Sequence, residues 1–545
     1  MRMETVKNIV KTNLFRDSLQ LMQLSEEAKK LDGVVDAALV MGTTTNKEIL
    51  EKLNLLTDEG KAATANDLIL AIRAKDESLL PRIVSIIEEM LMKPPTILQP
   101  AVDKMHFSVE AALEAMPDIN LAVVSIPGRY VKEVALKLLE KGIHIHLFSD
   151  HVPVEDEVEI KRYASERGLL VLGPGAGTSI INGKAIAFAN KVRRGAVGIV
   201  AAAGTGLQEV SVLIDKAGLG VSQGLGVGGN DVKESVGGIM TLDCIRSLEA
   251  DEETKSIMIV SKPPDDSVLK KVVKFIEEET RKPFVLCFLG TKRYIPPKKL
   301  AKRMHSYRSL HAAALGMVKL IDPEKYKIAK SDISLKLSEL KKLCKKLSGN
   351  LKPNQRYLRA LYTGGTLMYE SLLIYRELLG KDVYSNSPLD LKYKLEDSYK
   401  SYMNTVVDLG EEEFTAGRAH PMIDPTIRKL RLVEEAKDPE VAVITMDFVL
   451  GYGAHNDPVG AMQDAIIEAK RLAESNSREI IMMAHVCGTD ADPQNSSIQE
   501  EKLRSLGVTV FPTNALMAFA SALVVKRCKI SDEKLKKMYN EFLNV

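Results

Sequence analysis

Two glycine-rich turns, about 160 residues apart, carry residue types that bind phosphate. The first turn follows the apolar, β-branched run 197–201 and precedes a helical pattern over 207–217. A glycine turn between a strand and a helix directs backbone N–H groups to one place, and the helix dipole adds about half a positive charge there. We therefore predict that this turn binds phosphate through Gly204, Thr205 and Gly206.

The second turn repeats the first, since Gly365 aligns with Gly204, Thr366 with Thr205 and Glu370 with Glu209. Its predicted phosphate-binding residues are Gly364, Gly365 and Thr366. Two helix N-termini in one chain can face each other across a single anion. The alternative is that both are ordinary strand-to-helix turns with no ligand.

An Asn-Asp pair follows each turn, after a second run of glycines. We predict weaker substrate contacts from both pairs, because glycines let a backbone approach a ligand closely. Turns in which the Asn or Asp side chain caps its own backbone explain such pairs equally well. The two motifs recur in the same order, which indicates an internal duplication. The four candidates are Asn230, Asp231, Asn456 and Asp457.

A loop between the second turn and its Asn-Asp pair contains His420 beside Arg418 and close to Asp424. A histidine in such surroundings suits proton transfer or anion binding, and an arginine can bind a carboxylate through two nitrogens. We name His420 and Arg418 as candidate catalytic residues. A structural histidine bonded to the backbone is the alternative. No tight spacing of ligand residues supports a metal site, and none is predicted.

Strands that alternate with helices surround these candidates and predict a multidomain α/β fold with parallel sheets. We expect an α/β segment over 1–95, bounded by Pro94-Pro95, and a Rossmann-type domain over 96–190. A flavodoxin-type domain should cover 191–325 and a lysine-rich helical linker, solvated as a tether, 326–355. A second flavodoxin-type domain should cover 356–545, with an insertion at 384–440.

The composition excludes several classes of protein. The 545 residues hold 75 Lys and Arg against 73 Asp and Glu, a balance that argues against a nucleic-acid binder. No apolar run is long enough for a membrane span, and no signal peptide is evident. Five scattered cysteines are typical of a reducing cytoplasm, so we expect a cytoplasmic enzyme.

The motifs together resemble the α subunit of succinyl-CoA synthetase. The resemblance runs from Ser125–Gly128 through Gly173-Pro174 and Gly204-Thr205 to Gly228–Asp231. It implies a CoA-binding domain followed by ligase domains, with the transferred phosphate held at a helix N-terminus. In those synthetases two such helices come from different subunits.

Over nearly its whole length the chain is similar to the FdrA family of acyl-CoA-synthetase-like proteins. The markers include Phe148-Ser149-Asp150, Ala187–Asn190, Gly237–Leu242, Ser261–Pro264 and Gly417–Pro425. The resemblance implies a subunit of an oxamate carbamoyltransferase of purine and allantoin catabolism. That enzyme converts oxalurate and phosphate to oxamate and carbamoyl phosphate with two other gene products. A homo-oligomer is left open.

Two departures separate the chain from the synthetases. The Gly-His-Ala-Gly loop of the phosphohistidine is replaced by Gly290–Pro297, and the glycine-rich CoA fingerprint is absent. No cofactor is therefore certain, and CoA or a nucleotide stays possible. The alternatives to the carbamoyltransferase are an NDP-forming acyl-CoA synthetase and a non-catalytic scaffold that keeps the anion site.

Overall fold

The computed structural model describes residues 4–92, 106, 108–291, 294–416 and 418–545. The predicted boundary at Pro94-Pro95 lies outside these residues. So do Lys292 and Arg293 of the run Gly290–Pro297, and Gly417 of the marker Gly417–Pro425. The chain divides into two compact units, one holding Met1–Met105 with Leu409–Arg428 and the other His106–Asp408 with Lys429–Val545.

The first unit is built on a three-stranded sheet in the order β1-β3-β2. Both pairings are antiparallel, because each of the outer strands lies against β3 in the opposite direction. Leu68, Leu70 and Ile72 of β3 are fully buried against the helices. The elements are β1 (Thr5–Lys11), α1 (Ser18–Lys29), β2 (Val34–Met41), α2 (Thr44–Lys52), α3 (Asp58–Ala62), β3 (Leu68–Ala74) and α4 (Leu80–Met92).

The second unit opens with a small parallel sheet in the order β4-β5-β6. Its helices share one apolar core with the next sheet, since Ile145 and Ile160 belong to the same buried cluster as Ile257 and Leu286. The elements are α5 (Val109–Ala115), β4 (Leu121–Val124), α6 (Val131–Glu140), β5 (His144–Leu147), α7 (Val154–Ser165) and β6 (Val171–Leu172).

A seven-stranded sheet follows, in the order β13-β12-β11-β9-β10-β7-β8. Strands β9 to β13 pair in parallel, whereas β7 is antiparallel both to β10 and to its hairpin partner β8. The elements are β7 (Thr178–Ile181), β8 (Lys184–Ala187), β9 (Arg194–Ala202), α8 (Gly204–Lys216), β10 (Val221–Gly226), α9 (Ile239–Ala250), β11 (Ser256–Ser261), α10 (Asp266–Glu279), β12 (Phe284–Phe288), β13 (Met304–Tyr307) and α11 (Leu310–Ile321).

The lysine-rich segment is helical, as predicted, and forms α12 (Pro323–Ile333) and α13 (Leu337–Leu347). It is not a solvated tether. Leu340 and Cys344 are fully buried, and the Cys344 Sγ lies 3.5 Å from the carbonyl oxygen of Ala520. The lysines occupy one face, and the apolar residues of the other face pack on the protein.

A six-stranded parallel sheet completes the unit, in the order β15-β16-β14-β17-β18-β19. All nine residues of its β17 are buried. The elements of this part of the chain, with α15 in the first unit, are β14 (Tyr357–Tyr362), α14 (Gly365–Leu379), β15 (Val383–Ser385), β16 (Asn404–Asp408), α15 (Glu412–Thr415), α16 (Thr426–Lys437), β17 (Val441–Val449), α17 (Pro458–Ser475), β18 (Ile481–Cys487), α18 (Ser496–Ser505), β19 (Thr509–Phe511), α19 (Asn514–Val525) and α20 (Asp532–Phe542).

The predicted multidomain α/β fold with parallel sheets is confirmed. The two large sheets repeat one strand order, since β13-β12-β11-β9-β10 corresponds to β19-β18-β17-β14-β16. We call the part built on the seven-stranded sheet the first half and the part built on the six-stranded sheet the second half. The predicted domain bounds stay predictions. The sheets do not follow them throughout, because Ile180, placed before residue 190, pairs with Gly224 of the first half.

Candidate functional site

The two predicted phosphate turns meet in the structure. Gly204 is the first residue of α8, and Gly365 is the first residue of α14. The backbone N–H of Thr366 donates to the Thr205 Oγ1 at 3.1 Å, so the two helix N-termini are joined by a direct hydrogen bond. The strand, turn and helix predicted at both places therefore converge on one point.

The glycines of the turns allow this close approach. A Cβ atom added to Gly206 would lie 2.9 Å from the Thr366 Cγ2 and 3.1 Å from the Val260 Cγ1. A Cβ atom added to Gly364 would lie 3.1 Å from the Thr205 Cγ2. Carbon atoms in good contact are about 3.5–4.0 Å apart, so side chains at these positions would push the turns apart.

The N–H groups of the two turns are used differently. In the second half the Asp447 carboxylate accepts from the backbone of Thr363 at 2.9 Å and of Gly364 at 2.7 Å. In the first half, none of the described side chains or carbonyls accepts from the N–H groups of Gly204, Thr205 and Gly206. The α8 turn thus has three backbone donors for an anion. In the α14 turn the equivalent N–H of Thr366 is taken by Thr205 Oγ1, and Asp447 caps the two N–H groups that precede the helix.

Strand register explains this asymmetry. Asp447 of β17 occupies the place that Val260 of β11 has in the first half. In the same way Asp408 of β16 occupies the place of Gly226 of β10. Both aspartates are buried, at 0% and 4% exposure. Since carboxylates repel a phosphate, an anion is held better at the α8 turn than at the α14 turn.

One lysine lies close to the paired turns. Lys262 follows β11, two residues after the Val260 that lies against Gly206. Its amine is 5.3 Å from the centroid of the Tyr369 ring on α14. Lys262 is half-buried and forms no ion pair with any carboxylate of the described residues. It is thus an available positive charge at this end of the sheet.

The aspartates of the Asn-Asp pairs form hydrogen bonds within the protein. The Asp231 carboxylate is fully buried and accepts from Thr241 N at 2.8 Å, and its other oxygen bonds Lys161 Nζ at 2.9 Å. Asp457 caps α17 by accepting from Gly460 N at 3.1 Å. Asp457 therefore matches the capping alternative, whereas Asp231 holds the start of α9 and Lys161 and does not cap its own turn. Their neighbours Asn230 and Asn456 are exposed, and substrate contact by either stays a prediction.

The loop of His420 and Arg418 lies in the first unit. Arg418 Nη2 bonds the Asp424 Oδ2 at 2.8 Å. The His420 Nδ1 accepts from Met422 N at 3.2 Å, and burial lowers the pKa of His420 to about 4. The imidazole is therefore neutral at neutral pH, with its proton on Nε2. Catalysis by His420 or Arg418 stays a prediction.

Asn190 bridges the two halves beside α8. Its Nδ2 donates to the Leu450 carbonyl oxygen at 3.0 Å and to the Asp492 Oδ2 at 2.9 Å. Its Oδ1 accepts from the Gln208 Nε2 at 3.1 Å. The marker Ala187–Asn190 therefore has a physical role, which is to fasten the first half to the second next to the paired turns.

Asp447 and Asp408 were not among the residues predicted for the site. A signal was present for Asp447, because an aspartate inside the run 441–449 of otherwise apolar and small residues requires a buried partner. Asp408 ends a strand inside the predicted insertion, where no strand was expected. The sequence offers Lys262, in Ser261–Pro264, as a phosphate partner, but a solvated lysine is the stronger interpretation of that motif from the sequence alone.

Two family matches cover separate parts of the chain. Residues 361–524 match the CoA-ligase family, and residues 3–100 match the heavy metal-associated domain of AllF. Residues 3–100 contain neither cysteine nor histidine, so they offer no thiolate or imidazole to a heavy metal.

The chain is 42% identical over 506 residues to the uncharacterised protein YahF of Escherichia coli, covering 92% of this chain and 95% of YahF. It is 28% identical to the α subunit of the ADP-forming succinate–CoA ligase of Methanothermobacter thermautotrophicus, covering 36% of this chain and 64% of the subunit. A dinucleotide-forming acetyl-coenzyme A synthetase of Ca. Korarchaeum cryptofilum, solved with phosphate and ADP, overlaps 81% of this chain and 89% of its own, at 16% identity. Its TM-score of 0.28 is too low to carry an argument.

Among the residues that the structure describes, no helix combines the length and the apolar character that a membrane crossing requires.

Proposed function

Because the chain belongs to the family of YahF, with a CoA-ligase-like scaffold, we propose that it binds phosphate or an acyl phosphate at the paired helix N-termini. The observation that carries this proposal is the hydrogen bond between Thr366 N and Thr205 Oγ1, beside three open N–H groups of α8. Two N-termini aimed at one place suit a group with several negative oxygens.

Within this chemistry, we infer that the phosphate lies on the α8 side of the junction. The α14 side carries the buried Asp447 and Asp408, whereas the α8 side has only Val260 and Gly226 at the equivalent places. Lys262 would neutralise part of the charge of the bound anion. An acyl phosphate held in this way keeps its phosphate fixed while its acyl carbon is attacked.

The first candidate reaction is carbamoyl transfer, with the chain as one subunit of an oxamate carbamoyltransferase. In the direction of phosphorolysis, a phosphate oxygen attacks the carbamoyl carbon of oxalurate, the carbon–nitrogen bond breaks, and the amide nitrogen leaves as oxamate after taking a proton. The reaction needs a phosphate site and no phosphohistidine. The AllF-type match over residues 3–100 supports it, and two other proteins would be its partners.

The second candidate is acid–CoA ligation, which the CoA-ligase match over 361–524 and the succinate–CoA ligase relatives favour. This reaction would require a histidine that is phosphorylated. His311 of α11 is buried, and its Nδ1 lies 3.1 Å from the Thr513 Oγ1. His485 of β18 is also buried, and its Nε2 lies 2.8 Å from the Glu209 Oε2. Another histidine of this chain, or one from a partner chain, would have to accept the phosphate.

Titration calorimetry on the purified full chain separates these candidates. Carbamoyl phosphate, inorganic phosphate, CoA and ADP are titrated separately. Binding of carbamoyl phosphate and phosphate without CoA supports carbamoyl transfer, and the next step is reconstitution with partner proteins and oxalurate. Binding of CoA together with ADP supports the ligase. Binding of phosphate without turnover in any reconstituted mixture would make the chain a scaffold, and binding of none of the four ligands would contradict the proposal.

A further inference from the structure

Two glutamates connect the paired helices to the opposite halves in a reciprocal manner. Glu209 of α8, in the first half, accepts from the backbone N–H of Asn514, the first residue of α19 in the second half, at 3.4 Å. Glu370 of α14, in the second half, accepts from the backbone N–H of Leu310, the first residue of α11 in the first half, at 2.7 Å. Each half therefore caps a helix of the other half, namely the helix that follows the strand at the edge of its sheet, α11 after β13 and α19 after β19.

The two capped helices occupy equivalent places. Strand register matches Tyr307 of β13 with Phe511 of β19, so Ser309 corresponds to Thr513 and Leu310 to Asn514. The side chains of Ser309 and Thr513 already cap their own helices, at 3.0 and 3.3 Å. The glutamates satisfy one further N–H at each helix, where the helix dipole favours a negative charge.

The second oxygen of each glutamate is also held. The Glu209 Oε2 is 2.8 Å from the His485 Nε2, and the Glu370 Oε2 accepts from the Asn514 Nδ2 at 2.7 Å. Both carboxylates are fully buried. The His485 Nδ1 lies 3.2 Å from the Phe511 carbonyl oxygen, so both ring nitrogens face oxygen atoms. Burial would lower the pKa of His485, but the charge and hydrogen bond of Glu209 raise it above its usual value, which favours an imidazolium beside the Glu209 carboxylate.

Electrostatics differ between the two glutamates. Burial would raise the pKa of Glu209, but the charge and hydrogen bond of His485 bring it below its usual value. The place of His485 in the first half is taken by Cys287, which cannot supply a positive charge. Burial accordingly raises the pKa of Glu370 to about 7.

Each glutamate lies five residues after the glycine that begins its helix, about 7.5 Å along the helix axis. A rigid helix passes any shift of the glutamate to its own first turn. We propose that Glu209 and Glu370 are positioning residues, which hold the turns of Thr205 and Thr366 in the register that the anion site requires. This inference rests on the proposed function, because it assigns the glutamates a role in the same site.

The test compares E209Q and E370Q with D67N. Asp67 is also a buried capping carboxylate, accepting from Thr64 N at 2.7 Å and Asn13 N at 2.9 Å, but it lies in the N-terminal sheet of the first unit. Phosphate and carbamoyl phosphate are titrated into each full-length variant, and thermal melting is recorded without ligand. We expect both glutamine variants to bind either anion about tenfold more weakly, the effect of losing about one buried hydrogen bond. We expect D67N to bind like the original chain.

Hydrogen exchange provides a readout that does not depend on a ligand. In E209Q and in E370Q the amides of both turns, and not only of the substituted helix, should exchange faster than in the original chain. Normal anion affinity and normal exchange at both turns, with only a lowered melting temperature, would overturn the inference and leave the glutamates purely structural. If the original chain binds neither anion, the proposed function fails, and faster exchange at both turns still upholds the positioning role.

Discussion

Replacing Gly206 with valine should separate the two turns. The Cβ atom alone would lie 2.9 Å from the Thr366 Cγ2 and 3.1 Å from the Val260 Cγ1, well inside normal contact. Overpacking of this kind costs about 1–3 kcal/mol. The strain is relieved if α8 and α14 move apart, but the Thr366 N to Thr205 Oγ1 bond is then lost, at a further cost of about 1 kcal/mol.

We expect phosphate to bind Gly206→Val about 30-fold more weakly, which corresponds to about 2 kcal/mol. The melting temperature should fall by several degrees, and both quantities are measured by titration and scanning calorimetry. Gly349→Val is the matched control, because a Cβ atom at Gly349 would meet no atom within 4 Å. It should change neither quantity appreciably.

The direction of the stability change distinguishes a turn that contacts an opposing turn from one that does not. In an isolated helix, valine is more favourable than glycine by a few tenths of a kcal/mol. A turn without an opposing partner would therefore accept the substitution or gain stability from it. If Gly206→Val melts at or above the temperature of the original chain and binds phosphate normally, the close approach of the turns is refuted.

Three further outcomes are expected. Lys262→Met should bind phosphate about tenfold more weakly in titration calorimetry, and Lys262→Arg should bind it nearly normally. The control Lys298→Met, at an exposed lysine, should have no effect. Equal phosphate affinities in all variants would remove Lys262 from the site. The pKa of Glu370 is raised, so the native state binds this proton more tightly than the unfolded chain, and the free energy of unfolding should fall as pH rises from about 4.5 to about 7. Calorimetry at several pH values should show a smaller fall in E370Q, and an identical fall would contradict the prediction. Asn190→Ala removes two bonds to the second half and one to Gln208 within the first half, and should cost about 2–3 kcal/mol. An unchanged melting temperature would argue against the bridge.

Much of the site follows from local patterns in the sequence. The run before Gly204 is strand β9, and the helical spacing after it is α8, because glycine punctuation and apolar periodicity are local signals. The repeated turn at Gly365 indicated that two helix N-termini could meet, and Thr205 and Thr366 do meet. The positions of glycines were informative because close approach of two backbones permits no other residue.

Long-range pairing was not accessible in the same way. From its sequence alone, the hairpin β7-β8 continues the alternation of strands and helices that precedes it, yet Ile180 pairs with Gly224 in the next sheet. Helix α13 reads as a charged tether, yet Leu340 is buried. The capping of the α14 turn by Asp447 depends on strand register across 83 residues, which no local pattern specifies. These features follow from tertiary contacts rather than from the composition of any segment.

The two halves lie on one chain, and this has a consequence for how the site can change. In a symmetric homodimer every substitution appears twice, so both copies of a turn must serve the same purpose. Here a substitution alters one turn alone. Asp447 and Asp408 could therefore appear at the second turn while the first turn kept Val260 and Gly226, which separates the task of fastening the halves from the task of holding a ligand.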